Sequence, residues 1–300
     1  MKILITNHWL KKLGGSETFT YTLVKAAKEW GADVDLMTVF EGMVSDRVRK
    51  DLGVRTVYSP NYTYDMILAN HHSTVEICHQ KQLGPIIQTC HGIIPKLEQP
   101  SQFADAFVAI SEEVERHIKS IYAYPVLSVI RNSIDTERFK DRTLLAPGIK
   151  SVLSLSHSEK LNAELKEIFN RKGIQFKALN KFKNPVWDVE KEIWQHDLVI
   201  SLGRGAYEAF ACGRPVLVLD HRPYQELLSD GMATPDNMYQ LATCNFSGRY
   251  FRKTGNLQQL INRELELYND DNQVYYRHWA VENLDYRKNF EKYLELWKKM

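Results

Sequence analysis

A glycine-rich segment in the second half of the chain combines residue types that suit phosphate and ribose. Residues 198–215 read LVISLGRGAYEAFACGRP, which predicts a strand, a turn with Gly203 and Gly205, a short helix and another strand. Glycines let a backbone approach a ligand closely, and the N–H groups at the start of a helix attract phosphate. Arg204 can form a bidentate pair with a phosphate, and the Glu208 carboxylate can accept hydrogen bonds from both hydroxyls of a ribose. The alternative is a glycine-capped helix with a surface glutamate, which the combined pattern disfavours.

Two segments in the first half place polar groups beside strand-like runs. Gly14 and Gly15 precede a helix-like segment, where a phosphate would meet N–H groups. His91 follows the run 86–89, and a histidine there can donate a hydrogen bond or move a proton near neutral pH. Taken singly, a flexible turn and a structural histidine are the simpler interpretations.

Two other polar runs are interpreted as structural. Residues 132–135, Asn-Ser-Ile-Asp, favour a turn with side-chain-to-backbone hydrogen bonds. The D-x-D run Asp33-Val34-Asp35 lies inside a predicted strand, so it does not indicate a metal–diphosphate site. No residue is assigned to a metal.

Several familiar sites are not indicated by the sequence. The patterns G-x-G-x-x-G and G-x-x-x-x-G-K-[ST] are absent, which disfavours a dinucleotide dehydrogenase and a P-loop kinase. The four cysteines contain no C-x-x-C pair, which disfavours a zinc ribbon or a thioredoxin-like site. Scattered cysteines of this kind indicate free buried thiols in a reducing compartment.

Strand-like and helix-like segments alternate along the chain, which predicts an α/β fold with parallel sheets. In the first half, strands are predicted at 2–6, 34–39, 54–58, 66–69, 86–89, 106–110 and 126–130, and helices at 16–30, 47–52 and 111–120. In the second half, strands are predicted at 151–155, 175–179, 198–201 and 215–219, and helices at 162–171, 187–196 and 206–211. Ala146-Pro147-Gly148 interrupts the pattern, so we expect two Rossmann-like domains, 1–147 and 148–282, with a cleft between them.

The last segment, 283–300, is amphipathic. Its aromatic residues recur at helical spacing on one face and lysines occupy much of the other. A terminal helix docked on the body is the leading interpretation, and peripheral contact with an anionic membrane surface is left open.

Composition limits the remaining classes of function. The 300 residues carry 39 basic and 37 acidic side chains, a formal net charge of +2. Such a balance lacks the global charge that wraps DNA, so phosphate recognition is expected to be local. No leader segment or membrane span is indicated, and we expect a cytoplasmic location.

Four of these segments, in order, resemble the GT-B glycosyltransferases, closest to the retaining family 4. They are Gly14-Gly15-Ser16-Glu17, Thr89-Cys90-His91-Gly92, 108–135, and 203–215. The resemblance implies two Rossmann-like domains, an acceptor on the first and a nucleotide-sugar donor on the second. It also implies a C-terminal helix that crosses back to the first domain.

The resemblance implies roles for individual residues. Gly14 and Gly15 would lie under the donor diphosphate, His91 beside the donor sugar, and Glu208 on the ribose. Lys160 matches a lysine that grips the diphosphate in the family, and Gly203 and Gly205 would approach the donor. Glu17 and Asn132 are placed on the acceptor side.

Two departures from the family pattern affect the donor site. Ile200 stands where the family has a glutamate that touches the sugar, and the Gly203–Gly205 turn is the expected replacement. The family's diphosphate-binding arginine has no match after 151–155, and Arg204 is the candidate substitute.

The leading hypothesis is therefore a retaining, metal-independent transfer of sugar from a UDP- or GDP-sugar to an acceptor hydroxyl. No cofactor is expected. The acceptor is left open between a glycan, a lipid-linked sugar, a protein, a small molecule and a hydroxymethylated DNA base. DNA would need a basic groove drawn from Lys11, Lys12, Arg47, Arg49 and Lys50. A catalytically degenerate partner subunit and a nucleotide-sugar 2-epimerase are the alternatives of other classes.

Overall fold

The computed structural model describes residues 1–224 and 226–300 and divides into two compact units. Unit 1 comprises 1–133 and 285–300, and unit 2 comprises 134–284. The units divide upstream of the boundary placed at residue 147 from the sequence. Residues 134–147 belong with unit 2 because Phe139 is buried in its core and Arg214 donates to the carbonyl oxygen of Thr143, with Nη1 at 3.1 Å.

Unit 1 is built on a six-stranded parallel sheet in the order β2-β1-β3-β4-β5-β6. Its strands are β1 (Lys2–Trp9), β2 (Asp33–Phe40), β3 (Met66–Ala69), β4 (Ile86–Cys90), β5 (Ala106–Ala109) and β6 (Leu127–Val129). Its helices before the boundary are α1 (Gly15–Glu29), α2 (Met43–Leu52), α3 (His72–Gln80) and α4 (Glu112–Ile121). Strands β3, β4 and β5 are buried along their whole length, as in sheets covered on both faces.

Unit 2 contains a five-stranded sheet in the order β11-β10-β9-β7-β8, parallel except for β11. Its strands are β7 (Ser151–Ser154), β8 (Gln175–Ala178), β9 (Leu198–Ser201), β10 (Val216–Asp220) and β11 (Leu228–Met232). Its helices are α5 (Glu159–Arg171), α6 (Val189–Ile193), α7 (Gly203–Ala211), α8 (Met238–Ala242), α9 (Leu257–Leu265) and α10 (Gln273–Leu284). The α/β class with two Rossmann-like parallel sheets, predicted from the alternation, is confirmed.

The local predictions hold where hydrophobic spacing is strong and fail where it is weak. Helix α1 buries the predicted face, including Phe19 and Leu23. The strand predicted at 54–58 is wrong: only Thr56 forms an isolated bridge there, to Leu36 at the sheet edge. Helix α3 was not predicted because its nine residues, His-Ser-Thr-Val-Glu-Ile-Cys-His-Gln, include two histidines and few apolar residues.

The last helix, α11 (Tyr286–Trp297), belongs to unit 1 although α10 before it belongs to unit 2. It packs against α1, and the Tyr286 hydroxyl donates to Glu29 Oε2 at 2.7 Å. Tyr293 is fully buried, and its hydroxyl lies 2.9 Å from Thr89 Oγ1 on β4. This terminal helix therefore contributes to the core of the first unit, as the predicted crossing-back implies.

Among the described residues, no helix combines the length and the apolar character needed to cross a membrane.

We expect two substitutions of Tyr293 to destabilise unit 1 by different amounts. Tyr293→Phe removes one buried hydrogen bond and should lower the free energy of unfolding by about 1 kcal/mol. Tyr293→Ala also leaves a cavity and should cost about 3–5 kcal/mol, measured by urea denaturation. Tyr124→Phe is the control, because Tyr124 is 99% exposed. Equal midpoints for the Phe and Ala variants of Tyr293 would contradict this packing role.

Candidate functional site

In unit 2, the predicted donor residues lie at the carboxyl end of the parallel strands. Helix α7 follows β9 directly, and α5 follows β7 after a short loop. Open parallel sheets bind ligands at this edge, because the strand ends and helix starts meet there. Arg204 and Glu208 therefore share one short helix, and Lys160 lies in the first turn of another.

The start of α7 requires its glycines. Gly203 adopts a left-handed φ of +52°, and its N–H donates to the carbonyl oxygen of Phe246 at 3.1 Å. A Cβ atom on Gly205 would lie 2.3 Å from Ser201 Oγ and 3.2 Å from Leu155 Cδ1. Both glycines thus allow the helix to begin in close contact with the sheet. This structural requirement for glycine is independent of whether a ligand approaches the backbone here.

Arg204 and Glu208 form an ion pair with each other. Arg204 Nε donates to Glu208 Oε1 at 2.9 Å, and each residue is only 8% exposed. Burial lowers the pKa of Arg204 and raises that of Glu208, while their mutual attraction opposes both shifts. The two side chains that the sequence analysis assigned to separate parts of the donor are thus held together in one buried pair.

A second pair lies close enough to influence the first. Arg138 donates to Glu190 Oε2 through Nε at 3.1 Å and through Nη2 at 2.9 Å. Burial lowers the pKa of Arg138, but the hydrogen bond to Glu190 and the negative charges of Glu190, Glu208 and Asp188 together outweigh this effect, and the net shift is upward. Sequence analysis missed this pair, because residues 52 positions apart carry no local signal of contact.

The loop between β7 and α5 carries Lys160 and a capped helix start. Ser158 Oγ accepts from the Leu161 N–H at 3.2 Å and lies 2.6 Å from His221 Nδ1. Lys160 is exposed in the first turn of α5. A flexible cation beside a helix start can adapt to an anion, since both the ammonium and the N–H groups favour negative charge.

In unit 1, Gly14 and Gly15 lie at the start of α1, which begins one residue earlier than the predicted helix. Gly14 is the N-cap residue, and a Cβ atom there would lie 2.2 Å from Glu17 Oε2. The Glu17 carboxylate therefore lies over the start of its own helix, where negative charge is favourable. A phosphate contacting Gly14 would require another rotamer of Glu17.

His91 follows β4 and is held from two sides. Its Nε2 lies 3.0 Å from Asn70 Oδ1. Its ring packs edge-on against that of Phe19, with the two ring centroids 4.9 Å apart. Phe19 is on α1, so the helix that begins with the two glycines also contacts this histidine. Asn70 was not singled out from the sequence, although it directly follows β3.

Further histidines lie near the carboxyl ends of the strands of unit 1, where Asn70 and His91 are found. His71 is buried, its Nδ1 accepts from the His8 backbone N–H at 3.2 Å, and burial lowers its pKa to about 4. Burial also lowers the pKa of His8, whose Nδ1 lies 2.8 Å from Ser73 Oγ. Both rings are therefore neutral near pH 7.

The two polar runs interpreted as structural behave in that way. Asp135 Oδ1 accepts from the backbone N–H groups of Glu137 and Arg138, at 3.2 and 3.1 Å, which is the expected turn. Asp35 is buried in β2 and accepts from the Tyr64 hydroxyl at 2.8 Å. Asn132 is buried in the segment after β6.

Comparison with known proteins establishes the fold. No protein-family model matches the chain, and no curated protein matches it either. Among solved structures, a glycosyltransferase from Rickettsia africae ESF-5 is similar over 99% of this chain and 98% of that chain, with 14% identity and a TM-score of 0.65. The chain has the GT-B fold.

Two further solved structures support this fold. The pneumococcal O-GlcNAc transferase GtfA, in complex with UDP and GlcNAc, has 9% identity and a TM-score of 0.60, with 100% of this chain and 99% of that chain covered. An alpha-glucosyltransferase in complex with UDP and a 13-mer DNA has 11% identity and a TM-score of 0.57, with 99% of each chain covered. At such low identity the likeness concerns the fold, so membership of family 4 stays a prediction.

We expect Arg204→Met to lower the free energy of unfolding by about 3–5 kcal/mol, because it leaves the Glu208 carboxylate buried without its counter-charge. Urea denaturation measures the change. Lys191→Met is the matched control, since Lys191 pairs with Asp188 at 2.8 Å on an exposed surface. There we expect about 0–1 kcal/mol. Similar losses in both variants would show that the buried pair has no special role in stability.

Proposed function

We propose that the protein is a glycosyltransferase that moves a sugar from a UDP- or GDP-linked donor to an acceptor hydroxyl, with retention and without a metal ion. The observation that carries the proposal is the buried Arg204–Glu208 pair at the start of α7, beyond the carboxyl end of β9. The GT-B fold supports it, because the similar structures with this fold include transferases in complex with UDP.

Glu208 is proposed to bind the ribose. A carboxylate has about four acceptor positions, so the bond from Arg204 Nε to Oε1 leaves capacity for two ribose hydroxyls. The Glu208 side chain is 11% exposed, which gives an approaching ligand partial access. Arg204 also favours the charged form of the carboxylate, because its positive charge opposes the upward effect of burial on the pKa of Glu208.

The chemistry to be catalysed is the cleavage of a sugar–phosphate bond. Positive charge develops on the sugar and negative charge on the departing phosphate, so cations and N–H groups aimed at the phosphate stabilise the transition state. One such preorganised donor is worth about 3 kcal/mol. In unit 2 we assign this task to Lys160 and to the start of α7 with Gly203, Gly205 and Arg204. In unit 1 we assign it to the start of α1, with Gly14 and Gly15, once Glu17 turns away.

The departure at Ile200 affects the sugar contact. Ile200 is fully buried in the core of unit 2, and on β9 it lies beside Leu217 of the next strand. It cannot replace the glutamate that the family places there. We therefore assign the sugar contact to the Gly203–Gly205 turn and to His91.

We rank a hydroxymethylated DNA base below the other acceptors. Two members of the basic set that would form the groove are engaged with acidic residues. Arg47 pairs with Asp51 at 3.5 Å, and Arg49 pairs with Glu41 at 2.9 Å. Neutralised arginines attract phosphate less strongly, so we propose a glycan, a lipid-linked sugar, a protein or a small molecule as the acceptor.

Nucleotide release from a panel of UDP- and GDP-sugars tests the proposal. We expect slow hydrolysis of at least one donor without an acceptor, unaffected by EDTA. Transfer to an acceptor should give a product whose anomeric configuration, read by NMR, matches the donor. No release with any donor, together with no donor-induced thermal shift, would refute the enzyme and favour a degenerate partner subunit. Epimerised donor without any acceptor would identify a 2-epimerase instead.

Lys160→Met should reduce the turnover of that donor about 100-fold, because it removes one cation from the developing phosphate charge. Its effect on the unfolding midpoint should be small, since Lys160 is exposed. Lys166→Met, at another exposed position of α5, is the matched control and should keep full turnover. Wild-type turnover in the Lys160 variant would move the phosphate-binding role to other residues.

A further inference from the structure

We propose that Asn70 is a positioning residue that holds His91 in its Nε2–H tautomer, with the lone pair of the neutral ring on Nδ1. The inference rests on the proposed function, in which His91 contacts the donor sugar. Its physical basis is a short hydrogen-bonded chain from the backbone of β1, through the Asn70 amide, to the imidazole of His91.

The orientation of the Asn70 amide is determined by β1. Asn70 is fully buried, and its Nδ2 donates to the carbonyl oxygen of Thr6 at 2.9 Å. The backbone N–H of Asn70 donates to the same oxygen at 3.1 Å. The reverse amide orientation would place two oxygens against each other, so Nδ2 must face Thr6.

This orientation leaves only an acceptor towards the histidine. Asn70 Oδ1 lies 3.0 Å from His91 Nε2, and a carbonyl oxygen can accept but cannot donate. Nε2 must therefore carry the proton. Phe19 packs edge-on against the imidazole, with the ring centroids 4.9 Å apart, and limits its rotation. Both the tautomer and the ring plane of His91 are therefore restrained.

The tautomer has a chemical consequence for the proposed reaction. Any hydrogen bond that His91 accepts from a sugar hydroxyl, and any proton that it takes up, must be at Nδ1. An amide partner also differs from a carboxylate, because it does not stabilise the imidazolium by a full charge. A neutral imidazole suits a transition state that gathers positive charge on the sugar, whereas an imidazolium would repel that charge.

A matched pair elsewhere in unit 1 provides an internal control. Gln99 Oε1 lies 2.7 Å from His117 Nε2, and Gln99 Nε2 donates to the carbonyl oxygen of Pro95 at 3.2 Å. The same argument predicts the Nε2–H tautomer for His117. His117 lies within α4 and not at a strand end, so its chemistry should be irrelevant to turnover.

The wild-type protein gives the first test. Histidine labelled with ¹⁵N in the ring distinguishes the tautomers by NMR, and His91→Gln and His117→Gln assign the two signals. At pH 8 we expect the Nε2–H form for both rings. A predominant Nδ1–H form, or an even mixture, at His91 would overturn the proposal without reference to any donor.

Variants then separate positioning from a merely structural role. Asn70→Asp should raise the pKa of His91 by at least one unit and move the acidic limb of the kcat profile to higher pH by the same amount. Gln99→Glu should raise the pKa of His117 and leave that limb in place. An unmoved limb in Asn70→Asp, despite a raised pKa of His91, would show that the protonation state of His91 does not matter to turnover.

Asn70→Ala provides a variant without a new buried charge, should the carboxylate facing Thr6 prevent folding. We expect a mixture of His91 tautomers and a roughly tenfold fall in kcat, with the donor KM within twofold of wild type. Unchanged kcat with mixed tautomers would overturn the positioning role.

The NMR signals of the imidazole nitrogens distinguish titration of His91 from that of nearby titratable groups. Titratable groups on the elements around His91 include Glu17 on α1, His71 beside Asn70, Cys90 at the end of β4, and Glu98, whose Oε2 lies 2.3 Å from a Cβ placed on Gly92. Their titration is separated from that of His91 because the ring nitrogens report His91 alone. If no donor is turned over but the Nε2–H tautomer is found, the proposed function fails and the geometry of the pair stands.

Discussion

Burial of the central strands on both faces determines where polar chemistry can lie in each unit. Strands β3, β4 and β5 of unit 1 and β9 and β10 of unit 2 are buried at every position. A charged side chain within them would lose its hydration without a partner, at a cost of several kcal/mol. Ile200 is consistent with the constraint, since this apolar residue lies within β9 and is fully buried. Reactive groups are therefore found beyond the carboxyl ends of the strands.

The two units satisfy this constraint with different sets of polar groups. Unit 2 places ions there: Arg204 with Glu208, and Arg138 with Glu190. Each buried charge is compensated by its partner, so charges can remain beside a low-dielectric core. Unit 1 places neutral donors and acceptors around His91, among them Asn70 and His71, whose pKa burial lowers to about 4, and carries the Glu17 carboxylate at the start of α1. Under the proposed function, the ion pairs of unit 2 suit a nucleotide, and the neutral groups around His91 suit the uncharged hydroxyls of a sugar.

The same reasoning explains why residues adjacent to the proposed reacting groups carry much of the organisation. Glu208 would bind ribose, but Arg204 orients its carboxylate through a hydrogen bond and favours its charged form. His91 would meet the sugar, but Asn70 determines which nitrogen carries its proton, and Thr6 determines the orientation of Asn70. In both cases a buried hydrogen bond restricts a flexible or ambiguous side chain to one state, which reduces the reorganisation needed when the ligand binds.

By itself, the sequence determined the α/β class, the two-sheet organisation, the apolar face of α1 and the glycine-rich start of α7. These depend on periodicity and turn chemistry within about fifteen residues, which is a local property. It did not reveal α3, the failure of 54–58 to join the sheet, or the contacts of Asn70 with His91 and of Arg138 with Glu190. Those contacts join residues 21 and 52 positions apart. They exist because β3 lies between β1 and β4 and because segment 134–147 packs on unit 2, and only the tertiary structure decides which strand ends become neighbours.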